Sequence, residues 1–227
     1  MSVLRSVNIG KATPTEHSDV AVTGIDKRAV EGPVRLTAPT EGSGVAGDAI
    51  CDLRHHGGPD QAVYAYAWED LTRWSDQIAA EVRPGVFGEN LTTTGIDVTG
   101  AVIGEHWKVG GALLEVSVPR IPCRTFAGWL GERGWIKRFT REARPGAYLR
   151  VLEPGEVRTG DAVEIVHRPA HGVDIGTVFR ALTTEPDLLA KLVDVEELPE
   201  DVRERARKRT TGATEAEPRS ARLTDAD

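Results

Sequence analysis

Cys123 is the residue best placed to do chemistry. It stands in VSVPRIPCRTF, residues 116–126, between Arg120 and Arg124. A strand ends at Pro119, Pro122 removes a further backbone donor, and Phe126, Trp129 and Leu130 then begin a helical stripe. Two guanidinium groups and a helix N-terminus favour thiolate over thiol. A nucleophile, a sulfur carrier and a soft-metal ligand all need that thiolate, whereas a buried inert cysteine does not. Cys51, in AICDL without cationic neighbours, reads as the inert kind.

Two more loops carry unusual residues. In DLRHHGGPDQAVYAY, residues 52–66, Gly57 and Gly58 permit positive φ and close backbone approach, so their N–H groups can form an anion-binding nest beside His56; a plain turn uses the same residues. Adjacent histidines in an extended chain point to opposite faces, and no other His or Cys stands at zinc spacing from His55 and His56. In PGVFGENLTTTG, residues 84–95, Asn90 offers both donor and acceptor to a heterocycle or to a backbone, and Thr92 stands in the polar run behind it.

Short alternating segments punctuated by Gly and Pro run from Ser2 to about Val166. They suggest an antiparallel barrel or sandwich, without the continuous apolar runs of a parallel sheet. The clearest hairpin spans Glu105 to Val118, with Trp107 and Val109 on one face, a two-residue turn at Gly110-Gly111, and Leu114, Val116 and Val118 together. Ala147–Leu152 and Ala162–Val166 are further strands, the latter placing Val163 and Ile165 on one face. Trp68, Leu71, Trp74 and Ile78 predict a helix within Trp68–Val82; Trp68, Trp74 and Trp129 pack or line a pocket. Beyond Pro169 the pattern turns helical. Ile175, Val178, Phe179 and Leu182 share a face, Leu188, Leu189, Leu192 and Val193 another, and a third helix covers Pro199–Arg209. The division is residues 1–172, 173–209 and a disordered tail, 210–227.

With 40% apolar residues in a chain of 227, whole-chain disorder is excluded. No apolar run reaches the roughly 18 to 20 residues of a membrane helix, and the N-terminus lacks a secretory core, so a soluble cytoplasmic protein is expected. A net charge of -7 argues against general nucleic-acid binding, as do 9 acidic against 7 basic residues in Asp174–Arg209. Those helices cap the pocket or join two subunits, so a homodimer is one expectation. Two cysteines exclude a disulfide scaffold and an all-cysteine iron–sulfur cluster, and redox chemistry here needs a borrowed cofactor.

The strings HGGPDQAVYAY, FGENLTTTG, VSVPRIPC, GAYLRV and VRTGDAVEI stand in the order, and at spacings similar to those, of the MOSC domain family, named for the C-terminal domain of molybdenum-cofactor sulfurases. The chain resembles its YiiM-like bacterial branch over Ser2–Arg209, three-helix segment included; His55 departs from it by standing where an aliphatic residue is common. The resemblance implies an α+β fold, mainly an antiparallel β-barrel with helical insertions, that binds the molybdenum cofactor (molybdopterin). Cys123 is then the molybdenum ligand or a sulfur acceptor. His56, Gly57, Gly58, Asn90, Thr92 and one or both of Arg120 and Arg124 hold the pterin and its phosphate. Pyridoxal phosphate binding is a further property attached to the family. The implied activity is reduction of N-hydroxylated compounds, hydroxylaminopurines or amidoximes, with electrons from an external protein. The alternative is a sulfur carrier or cofactor chaperone using a Cys123 persulfide.

Overall fold

A computed structural model describes residues 1–214, with side chains to residue 209. Twelve strands follow in order: β1 (Val3–Gly10), β2 (Thr13–Pro14), β3 (Val22–Thr23), β4 (Lys27–Ala29), β5 (Val34–Leu36), β6 (Val63–Ala67), β7 (Leu91–Thr94), β8 (His106–Val109), β9 (Ala112–Pro119), β10 (Ala147–Glu153), β11 (Gly155–Val157) and β12 (Val163–His167). The helices are α1 (Trp68–Thr72), α2 (Arg124–Leu130), α3 (Trp135–Glu142), α4 (Ile175–Thr183) and α5 (Glu200–Thr214).

Eight strands form one sheet in the order β12-β8-β9-β10-β6-β7-β1-β4, while β5 pairs with β11 and β2 with β3. The ladder does not close into the expected barrel: β12 and β1 meet through one bridge, Val3 to Ala162, and a few backbone bonds, such as Leu4 N to Asp161 O at 2.8 Å. Local alternation specifies strands but not whether the last of them pairs along its length with the first.

The sheet is also not wholly antiparallel. β6 and β7 run parallel, and β6, VYAYA, is a continuous buried apolar run of the kind the sequence was expected to lack. Period two sends Val63, Ala65 and Ala67 into the main core and Tyr64 and Tyr66 into an aromatic cluster with Trp74, Phe87, Phe126, Trp135 and Phe139. Cores on both faces explain the lack of polar alternation.

The hairpin β8–β9 and the strands β10 and β12 form as read. Ile165 does not: it is exposed while Val163 is buried, because β12 is a sheet edge that only its first residue tucks under. The helix expected through Val82 stops at Thr72. Trp74, Ser75 and Gln77 then bond three residues back, a tighter winding that still buries Trp74 and Ile78. The middle C-terminal element, Pro186–Leu192, is a 3-10 helix rather than an α-helix. α5 extends through residues 210–214, which the expected tail had claimed; residues 215–227 of that tail lie outside the described residues. Ile175, Val178, Leu189, Leu192, Leu198 and Ala206 join the same core as the sheet.

Candidate functional site

β9 delivers the chain to the site and three residues turn it. After Pro119 come Arg120, Ile121 and Pro122, and Cys123 takes the extended N-cap position of α2. Burial of Phe126 in the aromatic cluster fixes the first turn of α2, so Cys123 is held half-buried at the edge of a pocket. Burial alone would push the thiol up. A hydrogen bond from His56, the Arg120 charge and the Phe126 N–H outweigh it and bring Cys123 down to about 6. The sulfur is a thiolate at neutral pH.

Arg120 is 6% exposed and lies over the rings of Phe126 and Tyr64, at 4.4 and 5.0 Å. Its Nη1 donates to Phe87 O at 2.7 Å, while its buried Nε has no hydrogen-bond partner among the described residues. A buried donor without a partner costs about 1–3 kcal/mol, which an anion in the pocket would offset.

Lys27, also in the lining, and its partner Asp48 are residues that sequence reasoning did not single out. Lys27, in β4, is buried and ion-paired with Asp48. Burial pushes its ammonium down, and the Asp48 carboxylate holds it up part of the way. Asp48 also accepts from Gly10 N at 2.7 Å, Ser43 Oγ at 2.8 Å and Asn90 Nδ2 at 3.0 Å. Cys51 lines the pocket too, and burial raises its thiol. Lys27 and Asp48 come from separate segments and leave no local spacing by which to find them.

The seven-residue set attached to Cys123 therefore divides. His56, Gly57, Asn90 and Arg120 line the pocket. Asn90 spends its amide on the fold: Oδ1 accepts from Tyr64 N at 3.2 Å, and Nδ2 donates to Asn8 O and Asp48. Thr92 is fully buried away from the pocket, bonded to Glu89 and Asn8. Gly58 donates its N–H to Gly42 O at 2.8 Å, so it is not part of a nest. Gly57, at φ +84, passes so close to the backbone of residue 42 that a Cβ would meet it, which is why glycine stands there. Arg124 points outward from the start of α2, 67% exposed, to Asp19 at 3.0 Å and His17 O at 3.2 Å. It borders an outer cleft that Cys123 shares with His17, Asp52, His55 and Ile121. No group of three His, Cys, Asp or Glu side chains among the described residues could hold a metal by itself, and none of the helices described is long and apolar enough to cross a membrane.

Comparison with known proteins identifies relatives of the chain. The MOSC domain pattern matches residues 52–164, which include His56, Arg120 and Cys123. YflK of Bacillus subtilis is 33% identical over 171 residues, 75% of this chain and 76% of its own. A protein named Reductase from Gibberella moniliformis is 30% identical over 201 residues, 87% of this chain; the chain spans only 35% of that relative's length. The crystal structure of YiiM from Geobacillus stearothermophilus superposes with a TM-score of 0.75 at 26% identity, covering 92% of this chain and 99% of YiiM. With the domain match over residues 52–164 and a relative 33% identical over three quarters of both chains, the chain belongs to the MOSC domain family.

Proposed function

We propose that this protein binds the molybdenum cofactor and reduces N-hydroxylated compounds, hydroxylaminopurines and amidoximes among them, with Cys123 as the molybdenum ligand. One observation carries the reading: a thiolate and a buried arginine with an unpartnered Nε face the same pocket. That donor set fits a soft metal attached to an anionic organic group. Cys123 Sγ would hold the metal, Arg120 the phosphate, and His56 the edge of the heterocycle where Gly57 lets the backbone pass. Arg124, Thr92 and Gly58 stand apart from these tasks.

When bound, the cofactor supplies a centre able to deliver two electrons. The chain's residues bind and orient. His56 keeps a ring proton against the sulfur, Arg120 holds negative charge inside walls of Tyr64, Tyr148 and Phe126, and the ion pair with Asp48 fixes Lys27 in the lining. Converting R–NHOH to R–NH2 and water consumes two electrons and two protons. A chain with two cysteines and no nucleotide fingerprint takes those electrons from a separate protein. The fungal Reductase, most of whose length lies outside the match, supports a redox role for this domain alongside other domains. A cytoplasmic setting suits such a donor.

The test is metal and pterin analysis of wild type and Cys123→Ser from a cofactor-competent host, with reduction of a hydroxylaminopurine by a chemical electron donor. Near-stoichiometric molybdenum that disappears with the thiol supports the proposal. Sulfane sulfur on Cys123 without molybdenum replaces it with the sulfur-carrier reading, which the same thiolate favours.

A further inference from the structure

We infer that residues 15–21 form a gate over the Cys123 pocket and that Arg124 is the positioning residue that latches it, setting the size of molecule that reaches the sulfur. The inference stands whatever the pocket binds. The loop joins β2 to β3, which pair only with each other, Thr13 with Thr23 and Pro14 with Val22, and not with the main sheet. A two-stranded unit of this size has little stability of its own. Yet Ser18, Val22 and Thr23 line the pocket, so its wall depends on whatever holds this unit down.

What holds its tip is the first turn of α2. Arg124 Nε donates to His17 O at 3.2 Å, Arg124 Nη2 pairs with Asp19 at 3.0 Å, and Thr125 Oγ1 donates to the same carbonyl at 3.1 Å. The His17 ring lies against Gly128, where a Cβ would overlap it. The loop also contains Ala21 at φ +58, a left-handed backbone that disfavours a residue with a Cβ. Strain in the loop and a weak pair at its tip are the two ingredients of a door that opens: Asp19 and Arg124 are 83% and 67% exposed, so their attraction is modest. Because α2 begins at the residue after Cys123, the latch and the thiolate share one turn of helix.

The experiment is alkylation of Cys123 in a Cys51→Ser background at pH about 8, where a thiolate of pKa about 6 is fully formed and access alone sets the rate. Iodoacetamide and a neutral, bulky pyrene iodoacetamide are compared. Arg124→Gln is expected to speed the bulky reagent about two- to fivefold, the order expected for losing an exposed pair, with iodoacetamide nearly unchanged. Asp19→Asn should act in the same direction but less, since it leaves the bond to His17 O, and the double variant should match Arg124→Gln alone. Gly128→Ala, which changes no charge, should exceed all of them by displacing His17. Opposite shifts in Arg124→Gln and Asp19→Asn would show that charge and not access is at work. That result, equal acceleration of both reagents, or no acceleration would overturn the gate.

Discussion

Cys123 and Cys51 line the same pocket and present the same functional group to it, yet one thiol is lowered and the other raised. Around Cys123 the positive groups remain available: Arg120 forms no ion pair among the described residues, and His56 bonds the sulfur directly. Around Cys51 burial is the leading influence and raises the thiol; Lys27, already paired with Asp48, lowers it part of the way, and the Asp48 carboxylate works against that. A cation near a thiol makes a thiolate only where, with hydrogen bonds to the sulfur, it outweighs burial, as it does at Cys123 and not at Cys51. Reactivity here belongs to the surroundings and not to the residue type.

That contrast breaks most visibly by substitution of each thiol. Cys123→Ser should abolish molybdenum binding and turnover while Cys51→Ser stays within about twofold of wild type, since Ser is near in size but a poor soft ligand. Equal loss in both would make the thiols partners and erase the difference. Next in size is Asp48→Asn, which leaves Lys27 buried without its counter-charge; urea denaturation should show a loss of about 3–5 kcal/mol. Arg120→Gln should raise the pH midpoint of Cys123 alkylation above its value of about 6, and His56→Ala should do so as well, with melting temperature little changed in the latter. An unmoved midpoint in either variant removes that residue from the balance.

The thiolate also makes stability depend on pH. Between about pH 6 and the unfolded thiol value of about 8.5, the unfolded chain keeps a proton that native Cys123 has lost, so stability rises with pH across that window. The contribution is lost as pH falls through the folded value. Cys123→Ser should flatten this slope and Cys51→Ser should not, measured by denaturation at several pH values.

The thiolate was legible because its causes are close in sequence: Arg120, Cys123 and the helix start lie within a few residues, and His56 carried its own glycine signature. Arg124 was misplaced because adjacency says nothing about direction; one turn of helix aims it at Asp19 and away from the pocket. On its loop alone Asn90 reads better as closing a turn, and the resemblance gave it a heterocycle; only the meeting of β1, β6 and β7 decides how its amide is used. Lys27 and Asp48 left no trace, since 21 positions of loop and strand separate them and only the tertiary fold unites them. The same limit explains the sheet. Alternation marked β8, β9, β10 and β12 individually, but the parallel pairing of β6 with β7 rests on the long connection between them, which carries α1 and brings Trp74 and Phe87 into the aromatic cluster.

The place of β1 has a consequence for how the chain reaches this structure. β1 precedes every strand it pairs with and is an inner strand, seated between β7 and β4, with Ser2 and Leu4 also bonded to residues 160–163. During synthesis β1 can find β4 early, but its other edge must wait for residues 91–94 and its first residues for the segment around Asp161. Contacts so distant along the chain slow folding, because loop closure must precede any gain from pairing. Until then an unpaired apolar strand edge stays open to other chains, so aggregation during expression should respond to the rate of translation and to chaperone supply more than to any change in the finished pocket.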